Sequence, residues 1–222
     1  MWIRRSSESL INYYRAQGIK IGDNCIFRSP KHTKIDLMRP CLITIGDNVD
    51  MNDHFTIMGH DFGHRVFLPL FGEFLSSSGV VHIGNNVYFG TNVTVLRGVI
   101  GDNCIIGAGS LVNKPIPSNS VAAGAPCRVI CTIEEYYAKR KKQWVEEAIV
   151  YANAIRERER REPTISDFRP EFGLFVDKSN IDEYDLTPIK SRLKDKYKYW
   201  LEHHKAPFDG FEDFLEKSKI KK

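Results

Sequence analysis

The chain has 222 residues, a formal net charge of +4 at neutral pH, 42% hydrophobic residues and 27% charged residues. This balance excludes a disordered polar chain, which lacks the apolar surface needed to offset ordering. The slight basic excess is too weak to argue for nucleic acid and is compatible with an anionic small ligand.

The opening residues, MWIRRSSESL, hold no apolar stretch of signal-peptide length. No run approaches the roughly 18 apolar residues needed to cross a bilayer. The five cysteines (Cys25, Cys41, Cys104, Cys127, Cys131) are odd in number and contain no CxxC pair. That favours a reducing compartment, so the expectation is a soluble cytoplasmic protein. A short helix is predicted from about Ser7 to Gln17, ending at Gly18, and residues 1–18 are read as a cap on the repeat domain.

The repeat begins directly after Gly18. The tetrad Ile-Gly-Asp/Asn-Asn occurs at Ile21-Gly22-Asp23-Asn24, Ile45-Gly46-Asp47-Asn48, Ile83-Gly84-Asn85-Asn86 and Ile100-Gly101-Asp102-Asn103. Around the tetrads an apolar residue returns every sixth position: Ile45, Met51, Ile57; Ile83, Phe89, Val95; Ile100, Ile106, Val112. A period of six keeps no steady helical face. It suits a short strand and a tight corner, with the apolar residue pointing inward and the following Gly allowing the corner. Ordinary hairpins do not require that phasing across three series. Stacked coils would bury one continuous column. Val95 to Ile100 is five residues, which tightens one corner around Gly98. The larger break is an ejected loop at 60–79, rich in Phe and Leu. Such a loop should dock on a neighbouring subunit or on the site it covers.

After Ile130 the pattern turns helical. Thr132-Ile133-Glu134-Glu135 reads as a capping box. Ile133, Tyr137, Trp144, Ala148, Ala152 and Ile155 recur near helical spacing up to Pro163. Residues 163–186 read as irregular. Thr187-Pro188 starts a helix through about His203, and a last helix covers 210–218. The domain reading is therefore a capping helix at 1–18, a repeat domain at 19–131, and an α-helical extension at 132–222. The runs Lys139–Lys142 and Arg156–Arg161 read as solvated helix faces.

The strings IGNNVYFGTNVTVLRGVIGDNCIIGAGSLV and IPSNSVAAGAPCRVI resemble the hexapeptide-repeat acyltransferases. Within these the chain is similar to the galactoside and maltose O-acetyltransferases and to those of bacterial capsule and surface polysaccharides. The resemblance is strong from about Ile45 to Ile130. It implies a mainly β fold, a left-handed parallel β-helix, with a short N-terminal helix and a helical C-terminal extension. It further implies a homotrimer with active sites between subunits. Acetyl-CoA is the implied cosubstrate, and a sugar or glycan the implied acceptor. No metal, nucleic acid or stable membrane insertion is expected.

Acetyl transfer to a hydroxyl needs a base, oxyanion donors and a site for CoA. His60, in Ile57-Met58-Gly59-His60-Asp61, matches the family's catalytic histidine at the edge of the coil before the ejected loop. His64 and Asp61 are weaker candidates that would contact substrate. By resemblance, CoA contacts fall at Thr91, Ala108, Asn113, Lys114 and Arg128, the last two offering charge to phosphates. Asn113 stands where the family often has Thr, and Cys131 where it often has a basic residue. The family's sugar-contacting asparagine has no clean match between Arg28 and Asp36. Cys25 and Cys104 replace the Val of other tetrads and read as small core residues. Cys127 and Cys131 read as structural, Tyr136, Tyr137 and Trp144 as packing, and His54 and His82 as coil-surface residues.

Three other readings stay open. One is an N-acetyltransferase of an amino-sugar nucleotide. Another is a metal-dependent hydratase resembling the γ-class carbonic anhydrases, for which His54, His60, His64 and His82 are the available imidazoles. The third is a non-catalytic trimeric scaffold.

Overall fold

The computed structural model describes residues 6–185 and 187–219, apart from the side chains of 187, 188, 192 and 194. Two compact units divide at Tyr137 and Ala138.

The first unit is a three-sided stack of parallel coils. Its first face pairs Lys20–Ile21, Ile43–Ile45, Val81–Ile83 and Gly98–Ile100. The second pairs Ile26–Phe27, Asp50–Met51, Val87–Phe89, Cys104–Ile106 and Ser120–Ala123. The third pairs Lys34–Ile35, Thr56–Ile57, Thr94–Val95 and Leu111–Val112. All of these ladders are parallel. Arg128–Thr132 then returns antiparallel along Ser120–Ala123 and ends the second face. The six-residue series point inward at every turn, and Ile45, Met51, Ile57, Ile83, Phe89, Val95, Ile100, Ile106 and Val112 are fully buried in one column.

The glycines and asparagines of the tetrads divide the work differently from the sequence reading, which gave the corner to glycine. Asn24, Asn48, Asn86 and Asn103 take the left-handed backbone, with φ between 54° and 56°. Asparagine tolerates that region better than most L-residues. The glycines instead make room. A Cβ on Gly46 would lie 2.7 Å from the Gly84 carbonyl oxygen, and one on Gly84 2.8 Å from the Gly101 carbonyl carbon. The third tetrad position forms a ladder along the edge. The Asp23 N–H donates to Asp47 Oδ1 at 2.7 Å, Asp47 N–H to Asn85 Oδ1 at 2.8 Å, and Asn85 N–H to Asp102 Oδ1 at 2.6 Å. Gly98 does turn its short corner with a left-handed φ of 126°.

Helix Ser7–Ala16 starts from a Ser6–Ser9 capping box and lays Leu10, Ile11 and Tyr14 on the end of the column. Tyr14 Oη accepts the Ile35 N–H and Ser7 Oγ accepts the Phe27 N–H, so the helix also satisfies backbone donors of the first coil. Residues 1–5 of the expected capping segment lie outside the described residues.

The helix Ile133–Glu159 runs from the first unit into the second, opened by reciprocal bonds between Thr132 and Glu135. Within the second unit, Ala148, Ala152 and Ile155 pack with Phe168, Phe175, Phe211 and Phe214. No strand is described there, so the mainly β expectation holds for the first unit alone. Residues 163–186, read as irregular, supply Phe168, Leu174 and Phe175 to this core through 3-10 turns. The helix expected from Thr187 to His203 is broken into Thr187–Leu193 and Tyr197–His203. The cap proposed at Thr187 lies outside the described side chains. Arg156 departs from a solvated face: its guanidinium donates to the Leu215 carbonyl and to Ser218 Oγ, each at 3.1 Å. Tyr137, expected to pack, is exposed. Among the described residues no helix is long and apolar enough to cross a membrane.

Candidate active site

His60 stands where the third face turns toward the first, three residues after the buried rung Ile57, at the point where the chain leaves the stack. Its ring is nearly buried, with 14% of the side chain exposed. Nδ1 is hydrogen-bonded to Oδ2 of Asp36, whose side chain is only 5% exposed. Asp36 reaches this position because Lys34–Ile35 pairs with Thr56–Ile57, which sets Asp36 beside Met58 and the His60 corner. Burial alone would raise the Asp36 carboxyl. The bonds from His60, from the Met38 N–H and from the Gly59 N–H outweigh burial and hold it below the ordinary carboxylate range. A carboxylate that accepts from Nδ1 fixes the tautomer that leaves the Nε2 lone pair free. This pair is suited to taking a proton from a hydroxyl and holding the resulting imidazolium.

Asp36 went unrecognised in the sequence. Phe27 to Ile35 spans eight residues where the regular spacing is six. The phase is lost there, and with it the register that brings Asp36 to His60.

Asp61 turns away from His60. It pairs with Arg97 and accepts the Gly63 N–H at 2.9 Å. The Gly63 bond, together with those from Ser77 and Arg97, keeps its carboxyl below the ordinary range. It thus anchors the base of the ejected segment, where His60–Asp61 and Ser77–Ser78 form a two-stranded ribbon. The segment is more ordered than a loop. His64–Phe71 is a helix with Pro69 inside, stopped by Gly72 at φ 69°. Phe62, Val66, Leu70, Phe71, Phe74 and Leu75 are exposed in the single chain. His64 lies against Phe74, with ring centroids 3.9 Å apart, and its Nδ1 is buried without a hydrogen-bond partner. Phe62 meets His60 edge-on at 5.1 Å.

The five residues expected to contact CoA are exposed; four fall on two edges and the fifth, Arg128, on the antiparallel return strand. Thr91 and Ala108 sit between the second and third faces. There Gly90 lies so close to the next coil that a Cβ would come within 2.6 Å of the Ala108 nitrogen. The Gly109 N–H donates to the Thr91 carbonyl at 2.8 Å. Asn113 and Lys114 share His60's edge, between the third and first faces, with Lys114 backbone beside Gly98. Arg128, in the antiparallel return, donates to the Cys127 carbonyl at 2.8 Å. The thiols of Cys104 and Cys127 are buried and that of Cys25 half-buried; burial raises all three, which disfavours thiolate chemistry. Cys25 is thus a partial exception to the core reading.

The sequence reading assigned no metal ligands and placed His54 on the coil surface. The structure gathers His54 with His32 and Asp53 on the edge between the second and third faces.

Comparison with known proteins gives three findings. The family described as bacterial transferase hexapeptide (six repeats) matches residues 81–114, the two most regular coils. The chain is 48% identical over 107 residues to galactoside O-acetyltransferase of Escherichia coli (strain K12), covering 45% of this chain and 51% of the relative. It is 37% identical over 108 residues to a putative acetyltransferase of Bacillus subtilis (strain 168), covering 48% and 58%. The chain thus spans about half the length of the curated relatives it matches. Among solved structures, a galactoside acetyltransferase in complex with coenzyme A aligns at 31% identity over 57% of this chain and 70% of that one, with a TM-score of 0.40.

Proposed function

We propose that this chain, similar over about half its length to galactoside O-acetyltransferase and carrying the hexapeptide repeat, is an acetyl-CoA-dependent O-acetyltransferase of a sugar or surface-polysaccharide precursor. In this reading the coils wind left-handed, three chains assemble, and the active sites lie between subunits in the cytoplasm. The observation that carries the chemistry is the bond from His60 Nδ1 to the buried Asp36 carboxylate.

His60 Nε2 accepts the proton of an acceptor hydroxyl as that oxygen bonds to the thioester carbonyl carbon of acetyl-CoA. Asp36 holds the ring orientation and stabilises the imidazolium that forms. The tetrahedral adduct then collapses with cleavage of its C–S bond. The imidazolium proton passes to the departing CoA sulfur, so base and proton return to their starting state. No covalent enzyme intermediate is needed, in keeping with the raised thiols of Cys104 and Cys127.

For CoA, the small residues at Gly90-Thr91 and Gly107-Ala108 leave backbone groups open to the amides of a pantetheine arm. Exposed Lys114 and Arg128 offer cations to its phosphates. Thr91 and Ala108 stand on a different edge from His60, and a neighbouring subunit lets the two edges of different chains face one site. The aromatic segment at 60–79, anchored by Asp61 and Arg97, then closes the acceptor pocket, with His64 and Asp61 at its margin.

The test is transfer from acetyl-CoA to a matched panel of hydroxyl and amino acceptors, galactosides and amino-sugar nucleotides among them. Turnover confined to hydroxyl acceptors supports the assignment. Turnover confined to amines would replace it with N-acetylation.

A further inference from the structure

We infer that His32, Asp53 and His54 form a binding site for one divalent transition-metal ion of the Zn2+ class, joining the first coil to the second. His32 lies in the two-residue-longer connection between Phe27 and Lys34, while Asp53 and His54 lie in the corner between Met51 and Thr56. Stacking of the coils sets His32 Nδ1 2.8 Å from Asp53 Oδ1, and His54 Nδ1 3.0 Å from Asp53 Oδ2. The two rings are 4.4 Å apart at their centroids. One ligand atom from each of the three residues falls within 4.8 Å of the others, a span that a single ion can bridge.

His54 also breaks the rule of its position. Its φ is 57°, in the left-handed region that asparagine fills at 24, 48, 86, 92, 103 and 119. Histidine is enriched in that region as asparagine is, so the corner admits it. What the substitution gains is an imidazole aimed at Asp53. On the other side the loop bearing His32 is pinned. Thr33 is fully buried and donates to the Ser29 carbonyl at 3.0 Å, and Ser29 Oγ stands 3.2 Å from His32 Nδ1.

Two imidazoles and one carboxylate suit Zn2+, Co2+, Ni2+ or Cu2+, and suit Mg2+ or Ca2+ poorly, since those take oxygen sets. All three side chains are open to solvent. The ion therefore keeps a coordination position for water or for a group from a partner. Because its ligands come from two coils, the ion binds only the folded stack and raises its stability by mass action. The site is on a different edge from the His60–Asp36 pair, one coil away from Thr91, where the Asn92 N–H donates to the Asp53 carbonyl at 2.8 Å.

The experiment uses the full chain without an affinity tag, stripped with a chelator and titrated with Co2+. The expected result is one ion per chain, visible absorption of a low-symmetry N/O site without thiolate charge-transfer bands, displacement by Zn2+, and a Zn2+-dependent rise in Tm. His32→Ala, His54→Ala and Asp53→Asn should each weaken binding by more than the roughly 10–100-fold that partners outside the coordination shell are worth. The surface control His82→Ala should bind as the wild type does. Circular dichroism checks that each variant is folded. A wild-type chain that takes up no Co2+, or folded His32→Ala and His54→Ala variants that bind as tightly as the wild type, overturns the site.

Discussion

The two units bury their cores by different means. In the first, one residue class repeats at each level of a column: Ile21, Ile45, Ile83, Ile100 and Ile116 on one face, and Ile35, Ile57, Val95 and Val112 on another. In the second, a few large aromatics from distant segments meet once: Phe211 and Phe214 touch each other, and each touches both Phe168 and Phe175. A repeated column tolerates variation at any one level but depends on register between levels. An aromatic cluster depends on volume at each of its few members. The chemistry follows the same division, because the candidate active site is a consequence of register.

The largest effect that separates these modes is at Asp36. Asp36→Asn keeps the shape and removes the acceptor that fixes the His60 tautomer, so kcat should fall by up to about 10⁴-fold. The KM for acetyl-CoA should change little, as steady-state kinetics will show. A fall in CoA affinity with kcat intact would assign Asp36 to binding. Next is the aromatic cluster. Phe214→Ala should cost about 3–5 kcal/mol, measured by denaturant unfolding followed through helical circular dichroism. A smaller loss would show that the cluster closes over the void. In the column, Gly84→Ala pushes a Cβ against the Gly101 backbone, and the strain of overpacking should cost about 1–3 kcal/mol in the same assay. An unchanged midpoint would show that adjacent coils separate freely.

The smallest effect is acid stability. The Asp36 carboxyl lies below its ordinary value in the folded chain. Its stabilising contribution is therefore complete above the ordinary carboxylate range and is lost as pH falls through the folded value. Stability followed from neutral to acid pH should decline less steeply in Asp36→Asn than in the wild type. Parallel curves would contradict the shift.

Where the phase of six holds, the sequence alone places the inward rungs, because each apolar residue has one position on one face. The capping box at Thr132 and Glu135 and the stop at Gly18 were equally legible, since each rests on local backbone chemistry. Legibility ends where the phase does. The longer connection from Phe27 to Ile35 hides both partners that matter: Asp36, which meets His60, and His32, which meets Asp53 and His54. The tetrad sets Gly and Asn side by side, and the sequence reading gave the corner to Gly. It did not show which of them takes the left-handed backbone, because that depends on the clearance between neighbouring coils. In the second unit's core a period is carried by the helix side alone, at Ala148, Ala152 and Ile155, and the aromatic partners meet it through contacts remote in sequence.

The central claim is that His60 is the base for acetyl transfer. It is tested most directly by single-turnover transfer from acetyl-CoA in His60→Ala, with CoA affinity measured on the same preparation. Loss of transfer on the order of 10²–10⁴-fold with CoA binding unchanged is the predicted result. Transfer at the wild-type rate by the folded variant would contradict it.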